Sequence, residues 1–277
     1  MSMRKNNRFE LCSARAYPSS MRTLKIADSD GIAVVTFARP PVNAMDSASL
    51  EELTSTFERL AEDAAVKAAV LTGEGNAFSA GLDLKTVPNL DLAGQHRLIA
   101  ALNDSFGTLY SWPKPLVAAV NGHAIAGGLV AALCADWRVA ADVPLKASMA
   151  EVRVGVKLPV AALQAAIGEL SPPTARRMVL FSEIVDVAGA LSLGVFDESV
   201  PAASLLPQAI DRARGFAALP PQAFATTKHE LRAVALARIA DARVGIEPRY
   251  SDWIGEETKA AAQAALRPAP RRVLSGS

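Results

Sequence analysis

Two glycine-containing turns, at residues 77–84 and 121–128, constrain the fold of this chain more than any other feature. Each turn follows a short apolar run, at residues 68–72 and 116–120, whose composition indicates a buried strand. Glycine adopts backbone angles that other residues resist, so a chain that leaves a strand through glycine can turn its N–H groups outward. We therefore predict an α/β fold in which two buried strands both end at glycine turns.

Apolar periodicity and turn residues divide the rest of the chain. Before residue 155 a strand, strand, helix pattern recurs, with strands expected at 25–27, 31–38, 68–72, 116–120 and 137–140 and helices at 47–64, 92–110 and 128–135. From residue 160 onward the pattern predicts mainly helices, at 160–167, 172–181, 187–193, 205–218, 220–237 and 250–266, with one short strand at 197–200.

Composition excludes several classes of partner. The 277 residues carry a formal net charge of +1, so no global field favours nucleic acid or an anionic membrane. The longest apolar run, 116–135, is broken by Asn121 and His123 and indicates buried core rather than a membrane span. Cys12 and Cys134 lie far apart and form no disulfide framework, which predicts a cytoplasmic protein, with Cys134 as a buried free thiol.

The paired turns indicate a class of chemistry. Two backbone N–H groups aimed at one point form an oxyanion hole, which stabilises charge developing on a carbonyl oxygen. Other common site motifs are missing from the sequence: no GxSxG elbow, HExxH zinc motif or GKS/T phosphate loop occurs. The sequence therefore favours chemistry at a thioester or a similar carbonyl, and we expect no metal.

Five motifs in order resemble those of the crotonase superfamily, the enoyl-CoA hydratases and isomerases. They are residues 39–44 (RPPVNA), 78–84 (FSAGLDL), 121–128 (NGHAIAGG), 134–136 (CAD) and 151–155 (EVRVG). The resemblance implies a crotonase-like superhelix of ββα repeats with a C-terminal helical trimerisation region, and hence a homotrimer or a hexamer. It divides the chain into a disordered leader at 1–20, an acyl-CoA-binding core at 21–204 and a helical region at 205–277.

The resemblance also implies roles for individual residues. The oxyanion N–H groups would come from Leu82 and Gly127, and the general base would be Glu151. Apolar neighbours surround Glu151 in the sequence, which predicts an enclosed carboxyl with a raised pKa, whereas the alternative is a solvated acid paired with Arg153. Hydratases of the superfamily carry a second glutamate at the position of Val130, so the chain looks more like the Δ3,Δ2-enoyl-CoA isomerases.

Further residues are expected around the substrate, with coenzyme A entering as part of it and no separate cofactor. Lys85 is a candidate for a CoA phosphate or a solvated lysine, His123 for a substrate contact or a packed histidine, and Asp83 for a brace of the first turn. The full expected set of substrate- and CoA-binding residues is Phe78, Ala80, Gly81, Asp83, Lys85, His123, Gly128 and Val130.

Three functions stay open at this point. The first is an acyl-CoA isomerase that moves a double bond with one glutamate. The second keeps the fold and changes the reaction to hydration, thioester hydrolysis or decarboxylation. The third is a silent acyl-CoA binder, or an RNA-binding protein as some relatives are, against which the near-neutral charge argues.

Overall fold

The computed structural model describes residues 23–243 and 253–266. Its strands are β1 (Leu24–Ser29), β2 (Ile32–Phe37), β3 (Ala68–Gly73), β4 (Ala77–Ser79), β5 (Leu116–Val120), β6 (His123–Ile125), β7 (Trp137–Ala141), β8 (Ala147–Ser148) and β9 (Glu198–Val200). Its helices are α1 (Ser47–Glu62), α2 (Leu92–Ser111), α3 (Gly127–Leu133), α4 (Val160–Glu169), α5 (Pro172–Ala175), α6 (Val187–Ser192), α7 (Leu205–Ala217), α8 (Pro221–Arg243) and α9 (Glu256–Leu266).

The strands form two sheets that the repeat unit explains. The larger sheet has the order β1-β2-β3-β5-β7-β9, and the smaller has the order β4-β6-β8. Apart from the antiparallel β1–β2 pair, neighbouring strands are parallel, with Val34 opposite Val70 and Val70 opposite Val117. In the first repeat β1 and β2 both join the large sheet and α1 follows. In the next three repeats the first strand joins the large sheet, the second joins the small sheet, and a helix follows. This arrangement confirms the predicted ββα repeat.

Alternation along the large sheet separates two apolar layers. Val34, Val70, Val117 and Val139 pack with apolar residues of α7 on one face. The alternate side chains of these strands, such as Leu71, join the main core with the buried faces of α1 to α4. Helix α7, the first helix of the predicted 205–277 region, therefore covers one face of the sheet; the division of the chain at residue 205 stays a prediction.

Helix α8 is joined to the core through buried charges. Lys228 Nζ donates to Asp136 Oδ2 at 2.8 Å, and Arg232 Nη2 lies 2.8 Å from Glu169 Oε1 and 3.2 Å from Asp136 Oδ1. The Arg232 guanidinium also lies 4.1 Å from the centre of the Tyr110 ring. Removing Asp136 would leave the buried Lys228 cation without a carboxylate partner among the described residues, so these contacts help to fix α8 against α2 and α4.

Several element boundaries differ from the sequence predictions. The short strands β4, β6 and β8 were not predicted, because two or three residues are too few to show alternation. The helix predicted at 172–181 is short, and a π-helical turn at Arg176–Leu180 replaces its second half. The helix predicted at 220–237 continues to Arg243. Residues 250–252 of the helix predicted at 250–266 lie outside the described residues, and among the described ones helix α9 spans Glu256–Leu266.

Three other predictions concern location and partners. The leader at 1–20, with Cys12, lies outside the described residues. Cys134 is a buried free thiol, as predicted. Within the described ranges, no helix combines the length and apolar character that crossing a membrane requires; the cytoplasmic location stays a prediction.

Gly128 provides a test of how tightly the repeats pack. A Cβ on Gly128 would lie 2.2 Å from the carbonyl oxygen of Ser79, so backbone must move to admit it. We expect Gly128→Ala to lower the free energy of unfolding by about 3 kcal/mol, measured by urea denaturation. The matched control is Gly215→Ala in α7, where nothing lies within 4 Å of the added methyl group. That variant should gain up to about 1 kcal/mol from helix propensity, and equal losses in both would contradict the prediction.

Candidate active site

The parallel pairing of β4 with β6 brings the two glycine turns together. Ala77 lies opposite His123 and Ser79 opposite Ala124, so both strands end at the same edge. Gly81 has a φ of 75°, and a Cβ there would lie 2.8 Å from Ile125 O and 2.9 Å from Gly127 N. Only glycine fits this close approach of two backbones at a left-handed angle.

The first turn is held so that one N–H group stays free. Met45 N donates to Gly81 O at 2.7 Å, and Asp83 N donates to Met45 O at 2.9 Å. Met45 thus forms backbone hydrogen bonds with Gly81 and Asp83 but none with Leu82, which lies between them. Among the described residues, the Leu82 N–H has no hydrogen-bond partner. Arg39 secures the turn from outside through a 3.1 Å ion pair with Asp83.

The second turn leaves a similar donor at the start of α3. Ala126 precedes the helix with φ 50° and ψ −125°, a conformation that non-glycine residues rarely adopt. Its own N–H donates to Ser148 O at 2.7 Å, which ties the turn to β8. The next N–H, of Gly127, belongs to the first turn of the helix and has no partner within the part of the chain that the structure describes.

Both turns line one cavity of about 70 Å³. Among the described residues of its wall, Glu151 is the one ionisable side chain; the rest of the wall is apolar side chains and backbone. The described residues of the wall are Ala80, Leu82, Leu84, Leu102, Phe106, Ile125, Ala126, Gly127, Ala150, Glu151, Val154, Val156, Pro159, Ala162 and Trp253.

Glu151 is held at the start of a tight turn. A 3₁₀ turn at Val152–Val154 follows it, Gly155 ends the turn at φ 67°, and Val156 N donates back to Glu151 O at 2.9 Å. The side chain is 7% exposed, and its Oε2 is buried with no partner among the described residues. This burial raises the pKa of Glu151 from 4.5 to about 7, because the carboxylate loses water and gains no compensating cation.

The sequence prediction of an enclosed Glu151 is therefore confirmed. The alternative pairing with Arg153 is not found, since Arg153 Nη2 donates to Ser182 O at 2.9 Å. A carboxyl group with a pKa of about 7 can accept and return a proton at neutral pH, which is what a general base requires.

The other apolar residues predicted for the site lie at different depths. Ala80 lines the cavity. Phe78 and Val130 are fully buried in the main core. Phe78 packs edge-on against Phe37, with 5.6 Å between the centres of the two rings. Gly81 and Gly128 serve the close approach of β4 to the second turn and to α3.

The polar residues predicted for the site lie outside the cavity wall. Asp83 accepts hydrogen bonds from Lys85 N and from Arg39, which agrees with a bracing role. The Lys85 side chain is exposed. His123 Nδ1 accepts a hydrogen bond from Lys146 N at 3.0 Å, as expected for a histidine satisfied by backbone. A contact between His123 and substrate stays a prediction.

The sequence analysis missed much of the apolar wall. Leu102 and Phe106 lie four residues apart on α2, and their helical spacing could have indicated a shared face. Trp253 reaches the cavity from the far end of the chain. No group of three His, Cys, Asp or Glu side chains within residues 23–243 and 253–266 could hold a metal ion; the expectation of no metal and no cofactor stays a prediction.

Comparison with known proteins identifies the family. The enoyl-CoA hydratase/isomerase family model matches residues 27–249. A probable enoyl-CoA hydratase of Bacillus subtilis is 35% identical over 137 residues, which is 49% of this chain and 53% of that protein. The mitochondrial enoyl-CoA delta isomerase 1 of Mus musculus is 27% identical over 247 residues, or 88% of this chain and 86% of that protein.

The fold is also that of solved relatives. The crystal structure of human mitochondrial delta3-delta2-enoyl-CoA isomerase matches with a TM-score of 0.84 at 26% identity, covering 88% of this chain and 97% of that one. The resemblance drawn from the five motifs, and the crotonase-like α/β fold that it implied, are confirmed. The chain belongs to the enoyl-CoA hydratase/isomerase family.

Proposed function

We propose that this protein is an enoyl-CoA isomerase that converts a 3-enoyl-CoA into a 2-enoyl-CoA. The observation that carries the proposal is a buried carboxyl group, Glu151, in an apolar cavity whose wall also includes Leu82 and Gly127, two residues whose N–H groups have no partner among the described residues. The names of the mouse and human relatives support the same reaction, and the name of the bacterial relative supports hydration instead.

Each group has one role in the proposed reaction. The Glu151 carboxylate takes a proton from C2 of the 3-enoyl thioester, and the electron pair of that bond moves onto the thioester oxygen. The Leu82 and Gly127 N–H groups stabilise the resulting enolate. When the electron pair on oxygen restores the C1 carbonyl, the C1–C2 π pair shifts to form the C2–C3 double bond. The C3–C4 π pair then takes the proton of the Glu151 carboxylic acid, which makes the new C4–H bond. The proton count is unchanged, so no water is consumed.

The number of carboxyl groups favours isomerisation over hydration. Hydration needs one group to activate water and another to deliver a proton to carbon, and two carboxylates divide that work. Val130, at the position of the second glutamate in hydratases of the superfamily, is fully buried and lies outside the cavity wall. An apolar wall with one proton-transfer group is suited to moving a proton between two carbons.

Replacing the proposed base tests the reaction directly. We expect Glu151→Gln to lower kcat for 3-hexenoyl-CoA by about 100-fold or more, because the amide cannot accept the C2 proton. Product analysis would follow 2-hexenoyl-CoA. The control is Glu58→Gln, since Glu58 is exposed on α1 and outside the cavity. Equal turnover by wild type and Glu151→Gln would remove Glu151 from the mechanism, and efficient hydration of crotonyl-CoA by the wild type would favour the hydratase.

The raised pKa of Glu151 predicts a pH dependence of stability. Between the unfolded pKa of 4.5 and the folded pKa of about 7, the folded state binds the extra proton, so the free energy of unfolding falls as pH rises. The loss from pH 4.5 to above pH 7 is about 3 kcal/mol. Urea denaturation at pH 5 and pH 8 should show a weaker decline in Glu151→Gln than in wild type. Glu58→Gln should decline like wild type, and parallel curves for all three proteins would contradict the burial argument.

We also propose that the chain assembles as a homotrimer or as a dimer of two trimers. Leu231 and Val234 support assembly, because these apolar side chains lie one turn apart on α8 and are 84% and 75% exposed. Light scattering should give the mass of three or six chains, and Leu231→Lys should reduce it. A wild-type mass of one chain would contradict this prediction.

A further inference from the structure

The C-terminal segment 253–258 supplies one wall of the cavity. Trp253 is the largest side chain in that wall and is 1% exposed. It faces a lining that is otherwise built from the ββα repeats and α4. Among the described wall residues, Trp253 is the one that lies beyond α4 in the chain.

Three hydrogen bonds fix this segment in place. Trp253 Nε1 donates to Lys157 O at 2.6 Å, and Ile254 N donates to the side-chain oxygen of Gln95 at 3.0 Å. Thr258 Oγ1 donates to Gly155 O at 2.7 Å, next to the turn that begins at Glu151. Trp253 can leave the cavity only by breaking the hydrogen bond from its Nε1–H to Lys157 O, so the indole is a fixed part of the cavity wall.

From these contacts we propose that Trp253 determines which acyl chains the cavity accepts, by closing it to long ones. The inference rests on the proposed function, because it takes the cavity as the acyl site. Apolar side chains make no hydrogen bonds to an acyl group, so they select among acyl groups by volume. Extra methylene groups cannot displace a close-packed indole. The cavity of about 70 Å³ is small, which favours short unbranched acyl groups.

Matched tryptophan variants test the inference. Trp253→Phe enlarges the cavity and should raise the ratio of kcat/KM for 3-decenoyl-CoA to that for 3-hexenoyl-CoA by about tenfold. Trp112→Phe is the control: Trp112 is also 1% exposed and donates its Nε1–H to a carbonyl, Phe57 O at 2.9 Å, but it lies outside the cavity wall. Trp112→Phe loses the same kind of hydrogen bond and packing as Trp253→Phe. Its ratio of kcat/KM for the two substrates should stay at the wild-type value.

A second variant reduces the volume of the cavity at a residue outside the C-terminal segment. Ala162 lies on α4, is 1% exposed and lines the same cavity. Ala162→Val narrows the space and should lower the same ratio by about tenfold. Calorimetric binding of hexanoyl-CoA and decanoyl-CoA to each variant gives a readout that needs no turnover.

The outcomes separate the two proposals. If 3-enoyl-CoA is not converted but the binding ratios shift as expected, the isomerase assignment is wrong and the role of Trp253 stands. If turnover is present and Trp253→Phe leaves both ratios at the Trp112→Phe value, the role of Trp253 is wrong. Absence of binding to both acyl-CoA probes would overturn both proposals.

Discussion

The contact on which the site depends is the backbone approach between the two glycine turns. Three-residue strands pair in parallel, and no side chain separates Gly81 from Gly127 or Gly128 from Ser79. This closeness brings Leu82 and Gly127 into the wall of one cavity, where we propose that their N–H groups form an oxyanion hole. An oxyanion hole made of backbone is rigid, because it moves only if the sheet moves, and rigidity is what stabilises charge at little reorganisation cost.

The buried carboxyl of Glu151 opposes stability at the pH where it would act as a base. The same desolvation that destabilises the folded protein above pH 7 keeps the carboxylate basic enough to remove a proton from carbon. The rest of the molecule compensates through extensive apolar packing on both faces of the large sheet. The tight turn that ends at Gly155 then prevents Glu151 from relaxing toward water.

The sequence revealed the parts of this structure that local motifs encode. The ββα repeat, the two turns and the enclosed setting of Glu151 follow from glycine positions and apolar runs within a few residues of each other. Features made by distant residues did not show. The sequence around Lys228 is typical of a surface lysine, but in the fold Lys228 is buried and pairs with Asp136, 92 positions away. Trp253 joins the cavity through Lys157, 96 positions away, and no local pattern predicts that contact.

Substrate size and base strength are physically linked in such a cavity. Burial raises the pKa of Glu151, and Trp253 is the largest side chain in the wall of the cavity that Glu151 lines. A larger cavity that accepts a longer acyl group also admits water when a short acyl group is bound. Water around the Glu151 carboxylate lowers its pKa toward the ordinary value. A carboxylate with a lower pKa is a weaker base toward carbon. In the proposed isomerase, the closed apolar wall that restricts the range of substrates would thus also keep the single glutamate basic enough to act alone.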